Sequence, residues 1–284
     1  MRKERGKIMR DLEKAKSKMT QALKEVEDFL KRSELNAKIV FIGLYGSQNY
    51  LLDTEDSDHD FKAVVVPTLD DLVRHTKPVS FSVPLSDGAL CDVKDIRLMV
   101  DQWKKAAPNF LEILFTDCQL ITPFGELLGF NWFIENRDKI AHANELSCIK
   151  AMYGMLLEKE HALFKDYPAQ KKDIEKFGYS GKQLSHMFRM KELMRDYKHK
   201  DFKFALIPEV AQREIIISYK KYEIPMTIKW VKESAELYHD CAEETMKQLI
   251  NSDLDVDGVF LDEMSEKTYS IIKNAITFEI RGEI

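Results

Sequence analysis

Tyr45-Gly46-Ser47-Gln48-Asn49-Tyr50-Leu51-Leu52-Asp53-Thr54-Glu55-Asp56-Ser57-Asp58-His59-Asp60-Phe61-Lys62 is the stretch on which the fold turns. It sets a Gly-Ser pair ten residues ahead of an Asp-x-Asp. The apolar run Ile39 to Leu44 before it predicts a buried strand, and Phe61 to Val66 after it predicts a second. Asp58 and Asp60 then stand at the mouth of a strand, and because side chains alternate with a period of two, both carboxylates project to one side. Two carboxylates on one edge can share a divalent cation, Mg²⁺ or Mn²⁺, which is held by a few hard oxygens together with substrate phosphates. Gly46 lets the backbone approach a triphosphate closely. Ser47 adds a hydroxyl and an N–H where strand gives way to helix, a place that favours anions. Acid-rich loops are usually solvated surface. Here, however, Asp53, Glu55, Asp56, Asp58 and Asp60 fall within eight residues and repel one another unless a cation intervenes.

The pattern resembles the polymerase β-like nucleotidyltransferase superfamily, whose signature is Gly-Ser, a spacer of about this length, and Asp-x-Asp opening a strand. Two further segments look like parts of its RlaP-like branch of stand-alone nucleotidyltransferases. They are Ala107-Pro108-Asn109-Phe110-Leu111-Glu112-Ile113-Leu114-Phe115 and Gly181-Lys182-Gln183-Leu184-Ser185-His186-Met187-Phe188-Arg189. In that branch Gly is usual where this chain has Leu51, and Asn-Pro-Asn where it has Ala107-Pro108-Asn109. The resemblance implies transfer of an NMP from an NTP, with ATP the default donor, to a hydroxyl, releasing pyrophosphate. Gly46 and Ser47 would hold the β- and γ-phosphates, and Asp58 and Asp60 would bind the metal ions.

A third carboxylate from a neighbouring strand normally completes such a site. Val79 to Ile96 reads as a hairpin: Phe81 to Leu85, a Ser86-Asp87-Gly88 turn, then Ala89 to Val93. Asp92, inside the returning apolar strand, is the expected metal ligand and general base, since carboxylates are rarely buried unless paired. Asp95 is the competitor, although its position fits the N-cap of a helix beginning near Ile96.

With 284 residues, 44% hydrophobic content and 16 Phe, the chain can bury a core for one or two domains. It contains no apolar stretch long enough to span a membrane, and Met1 to Lys7 lacks an apolar signal core, so no membrane partner is expected. Cys91, Cys118, Cys148 and Cys241 are scattered without a Cys-x-x-Cys pair, which fits a reducing cytoplasmic setting and not a zinc site. His59 and His75 read as solvent-exposed or phosphate-adjacent. Segments 1–38 and 151–232 are net basic, whereas 39–150 and 233–284 are net acidic. The acidic C-terminal block argues against a general nucleic-acid coat protein.

Periodicity sets the organisation. Met9, Leu12, Met19, Leu23, Val26 and Leu30 predict an amphipathic helix over 7–32 that packs on the sheet. After Pro123-Phe124-Gly125 the chain reads as wholly helical, over 127–136, 144–165, 181–197, 208–218, 225–250 and 258–277. The fold class expected is α+β: a small mixed-sheet nucleotidyltransferase palm over 1–122 with flanking helices, then an all-helical domain over 123–284.

In that second half Lys182, His186 and Arg189 fall at i, i+4 and i+7, two cations and an imidazole on one helix face, suited to the spread charge of a nucleotide's triphosphate. A plain surface face would carry the same residues. Tyr179 and Phe188 could stack on a base, but aromatics at such spacing more often serve the core. Arg137 to His142 resembles the Arg-polar-x-x-x-His motif of helical HEPN ribonucleases, a spacing common in charged helical chains. The acceptor stays open. An RNA or tRNA end is one reading, favoured by the resemblance and the basic segment; a protein hydroxyl, as in AMP-transferring antitoxins, is another; a catalytically silent nucleotide-binding regulator is a third. The oligomeric state is not legible.

Overall fold

The computed structural model describes residues 2–55, 57–199, 209–252 and 254–283, with side chains undescribed at 2–11, 198, 199 and 210. Asp56 of the acidic loop and position 208 at the start of one expected helix therefore lie outside the described residues, as does the side chain of Met9.

The chain opens with helix α1 (Arg2–Arg32). Strand β1 (Lys38–Tyr45) follows, then a short 3₁₀ turn at Ser47–Tyr50 and strand β2 (Asp60–Val66). Helix α2 (Leu69–Val73) leads to the hairpin of β3 (Ser80–Pro84) and β4 (Leu90–Asp95). Helices α3 (Ile96–Lys104) and α4 (Pro108–Phe115) precede strand β5 (Gln119–Ile121). The five strands form one mixed sheet in the order β3-β4-β2-β1-β5, with β2 and β4 parallel and the other neighbours antiparallel.

Both faces of the sheet are covered, which is why its strands read as near-continuous apolar runs. On one face Ala15, Met19, Ala22, Val26 and Leu30 of α1 pack over Ile42, Leu44, Phe61, Ala63, Val65 and Val93. The burial stripe follows the predicted helical period, so the N-terminal helix stands as expected. On the other face Phe41, Val64 and Val66 meet α3 and α4 through Ile96, Trp103, Leu111 and Ile113. This second core continues without a break past residue 122 through Phe130, Met152, Met187 and Tyr238 to Ala275.

The helical half contains α5 (Pro123–Leu128), α6 (Asn131–Glu135), α7 (Arg137–His142), α8 (Glu145–Ala162), α9 (Lys171–Phe177), α10 (Gly181–His199), α11 (Val210–Lys220), α12 (Ile228–Ile250) and α13 (Gly258–Ile280). The last four match their predicted positions to within a few residues. The single helix expected over 127–136 is instead broken. Gly129, at φ 79°, caps α5 in the left-handed region, and Pro123 starts that helix four residues early. The short α2, α7, α9 and β5 are too brief to leave a periodic signal. The architecture is α+β, and no helix among the described residues is long and apolar enough to cross a membrane. Tyr179 and Phe188 are buried in the core, whereas His59, expected to be solvent-exposed or phosphate-adjacent, is largely covered at the edge of a surface cleft. All four cysteines are free, and three are buried.

Candidate active site

The functional candidates gather at one end of the sheet, where β1 runs out into the Gly46 turn and β2 begins. Gly46 adopts φ 83° and ψ −156°, a conformation open to glycine alone, and delivers the chain into the Ser47–Tyr50 turn. The Ser47 carbonyl accepts from Leu52 N at 2.9 Å, closing that turn. Leu51 caps it at φ 55° and ψ 36°, a left-handed conformation held here by a leucine.

Glu112 of α4 sits directly behind the turn. Its carboxylate is buried and accepts from Gly46 N at 3.3 Å, while its backbone carbonyl accepts from Asn49 Nδ2 at 3.4 Å. Burial pushes the Glu112 carboxyl up, opposed by a hydrogen bond from Tyr50 and by the Arg189 and Lys62 charges. Sequence reading gave Glu112 no role. The signal was an acid in the middle of the apolar helix Pro108–Phe115, which can be solvated only by partners brought from elsewhere.

Asp60 opens β2 opposite Tyr45 of β1, and its Oδ1 accepts from Leu90 N at 2.9 Å. Burial raises its pKa, and the carboxylates of Asp58 and Asp92 raise it further. Asp58 is exposed on the coil before the strand. It lines a cleft of about 330 Å³ with Lys14, Lys18, Gln48, His59 and Asp87.

Asp92 stands on β4, in register with Lys62 of the parallel β2 and Ser82 of β3. Its Oδ1 accepts from Ser82 Oγ at 2.5 Å; its Oδ2 accepts from Lys62 Nζ at 3.3 Å and from Tyr45 Oη at 3.2 Å. Burial would raise the Asp92 pKa, but these three donors hold it below the usual carboxylate range. Lys62 is buried, its ammonium 3.2 Å from the centre of the Tyr45 ring, and burial pushes its pKa down against the pull of Asp92 and Glu112. Asp95 does what its position suggested: it is buried, caps α3 by accepting from Arg97 N at 2.8 Å, and is forked by the Arg97 guanidinium at 2.8 and 2.6 Å.

Asp58 and Asp60 offer the hard oxygens a divalent cation takes. The pair fits Mg²⁺ or Mn²⁺. Asp92, the expected third ligand, accepts from Lys62, Tyr45 and Ser82. Among the described residues no three His, Cys, Asp or Glu side chains stand together as a metal cage.

The helical half supplies a cationic counterpart. Arg189 of α10 lies with its guanidinium 4.1 Å from the centre of the Tyr50 ring, and its Nε is buried without a hydrogen-bond partner. Lys220 of α11 donates to Leu52 O at 2.7 Å, tying α11 to the same loop. Burial, reinforced by the Arg189 and Lys182 charges, pushes Lys220 down to about 8. His186 is pushed well below its ordinary value by burial and by Arg189, Lys220, Lys159 and Lys182, so it faces these cations as a neutral imidazole. Lys182, a turn away on α10, is exposed. Lys220 was absent from the sequence reading, since nothing in its own segment ties it to a loop 168 residues away.

Arg137 donates to Leu114 O at 3.4 Å, and His142 Nδ1 is 3.2 Å from Glu145 Oε1.

A solved nucleotidyltransferase-like protein from Exiguobacterium sibiricum is similar, over 85% of this chain and 79% of that one, at 10% identity and a TM-score of 0.29. No protein-family profile and no curated protein matches. At that similarity no function passes from the neighbour to this chain.

Proposed function

We propose that this protein is a metal-dependent nucleotidyltransferase that moves an NMP, by default AMP from ATP, to a hydroxyl at an RNA or tRNA end and releases pyrophosphate. The observation that carries the reading is one continuous run of charged groups across the Gly46 turn, from Asp58 and Asp60 through Asp92 and Glu112 to Arg189 and Lys220. Carboxylates suited to a cation at one end and cations suited to phosphate at the other match the two needs of a nucleoside triphosphate.

In the reaction the acceptor oxygen forms a bond to the α-phosphorus as the bond from that phosphorus to the bridging oxygen breaks. Pyrophosphate leaves with the electron pair. A divalent cation held by Asp58 and Asp60 would supply charge neutralisation at the triphosphate. The chain's own part is positioning. The Gly46 turn, its shape fixed by Glu112, and Ser47 form the floor under the phosphates. Arg189, whose Nε lacks a partner, and Lys220, with Lys182 at the rim, hold the β- and γ-phosphates, and neutral His186 can donate a hydrogen bond without adding charge. Asp92 is kept anionic by its donors. Three donors on about four lone-pair sites leave one to receive the acceptor's hydroxyl proton.

The RNA-end acceptor is supported by the basic segment 151–232, and placement in the RlaP-like branch belongs to the same proposal. Incubation with each labelled NTP, Mg²⁺, total RNA and lysate protein tests it. Label on RNA that disappears with Asp60→Asn is expected. Label on protein would move the acceptor to a protein hydroxyl, and no label from any NTP would leave a silent binder and end the proposal.

A further inference from the structure

Lys62 is out of place by ordinary rules. It follows Asp60 by two residues on β2 and so shares its face of the sheet, yet it is buried, whereas a surface lysine would keep its ammonium in water. Instead the Nζ is fixed between the Asp92 carboxylate at 3.3 Å and the Tyr45 ring centre at 3.2 Å, with the Phe110 ring centre at 5.4 Å. Register puts it there: Lys62 pairs with Asp92 across the parallel β2–β4 ladder, and Ser82 pairs with Asp92 from the other side.

The pairing gives this placement a meaning. Without the lysine, the Asp92 carboxylate would lose its cationic partner and be free to take a metal ion. With Lys62 in place that carboxylate is already paired, and Asp58 and Asp60 are left to hold a single divalent cation. We propose that the Lys62 ammonium stands where a second metal ion would otherwise sit against Asp92, so that the protein binds one divalent cation, on Asp58 and Asp60, and Lys62 acts as a positioning residue for Asp92. This rests on the nucleotidyltransferase reading. The alternative for a buried Lys–Asp pair is plain structural bracing. A brace, however, makes no claim about how many metal ions bind.

Metal counting separates the cases without relying on turnover. Crystals grown with Mn²⁺ and α,β-methylene-ATP, which binds but cannot react, are expected to contain one Mn²⁺ per chain by anomalous scattering, with Lys62 still on Asp92. In solution, the Mn²⁺ concentration that half-saturates the rise in melting temperature, with the analogue present, should increase more than tenfold for Asp60→Asn and less than twofold for Asp92→Asn. Lys62→Met keeps most of the stem but frees Asp92, and should admit a second Mn²⁺; should that variant fail to fold, the wild-type count and the Asp92→Asn titration still decide. Two Mn²⁺ in the wild type, or Asp92→Asn weakening Mn²⁺ as much as Asp60→Asn, would overturn the role of Lys62 and leave the transferase reading intact. Bound analogue with no Mn²⁺ at all would overturn both.

Discussion

The two ends of the candidate site are built in opposite ways. The acidic end comes from a short piece of chain: Asp58 and Asp60 lie two residues apart, and Asp92 pairs across the β2–β4 ladder with Lys62, two residues beyond Asp60. The cationic end comes from α10 and α11, and its members touch the site only through tertiary packing, Arg189 on Tyr50 and Lys220 on the Leu52 carbonyl. The acidic end is under electrostatic strain, with Asp60 raised by burial and by its neighbours. The cationic end is strained in the other sense, with Lys220 and His186 pushed down among like charges. Each end lacks what the other holds, and the metal-bound triphosphate of the proposed function would supply both deficits at once.

The sharpest way to break this comparison is at the acidic end. Asp60→Asn or Asp58→Asn should lower transfer by at least about a hundredfold, since a group that acts on the developing charge is lost. The fold should survive. Asp60 has a folded pKa above its ordinary value, so its ionisation costs stability at neutral pH, and the amide removes that cost. A melting temperature equal to or slightly above wild type, alongside the lost turnover, is the expected pair of results. Retained Mg²⁺-dependent transfer in both variants would remove the acidic end from the chemistry.

That end was legible because its information is local. A strand, a turn and an Asp-x-Asp can be read from neighbouring residues, and Asp92 stood out as an acid in an apolar strand. Lys62 carried the same kind of signal, a charge in the run Phe61 to Val66, but its partner could be known only from the β2–β4 register. Glu112 and Lys220 were hidden for the same reason: burial and pairing are set by α4 and α11 docking against the turn. Helix existence was readable for α8, α10, α12 and α13, where several turns repeat the pattern. It failed over 127–136, where the single residue Gly129 outweighed the period.

At the cationic end, Arg189→Ala should weaken NTP binding by about ten- to a hundredfold, the equivalent of one sheltered charge-assisted contact of about 1.5 to 3 kcal/mol. Lys182→Ala should cost less than about tenfold, because that side chain is exposed. Titration of NTP with Mg²⁺ present measures both. Wild-type affinity in the arginine variant would confine the site to the sheet and free α10 for the acceptor.

Lys220 makes a pH prediction of smaller size. With a pKa near 8 it is mostly charged at neutral pH and loses its proton just above, so NTP affinity should fall by up to about tenfold as pH rises through 8. Binding near pH 8 should also take up protons, visible as a dependence of calorimetric heat on the buffer's ionisation enthalpy. Stability should move the other way. Between pH 8 and the ordinary lysine range the unfolded chain holds the extra proton, so the folded state gains stability as pH rises. Lys220→Met should flatten both trends. An unchanged affinity slope in that variant would place Lys220 outside the nucleotide's reach.

The smallest effect tests the turn that joins the two ends. Leu51 holds φ 55°, a left-handed conformation that costs an L-residue about 1 to 2 kcal/mol and costs glycine almost nothing sterically. Leu51→Gly and Leu51→Ala both delete the half-buried side chain, so their difference isolates the backbone. Glycine loses about 0.5 to 1 kcal/mol to alanine through the greater freedom of its unfolded chain, which leaves Leu51→Gly more stable than Leu51→Ala by up to about 1.5 kcal/mol. Denaturant midpoints of the two variants measure it. The opposite order would mean that the left-handed cap is not kept in solution, and with it would go the turn geometry that brings Gly46 to Glu112 and Tyr50 to Arg189.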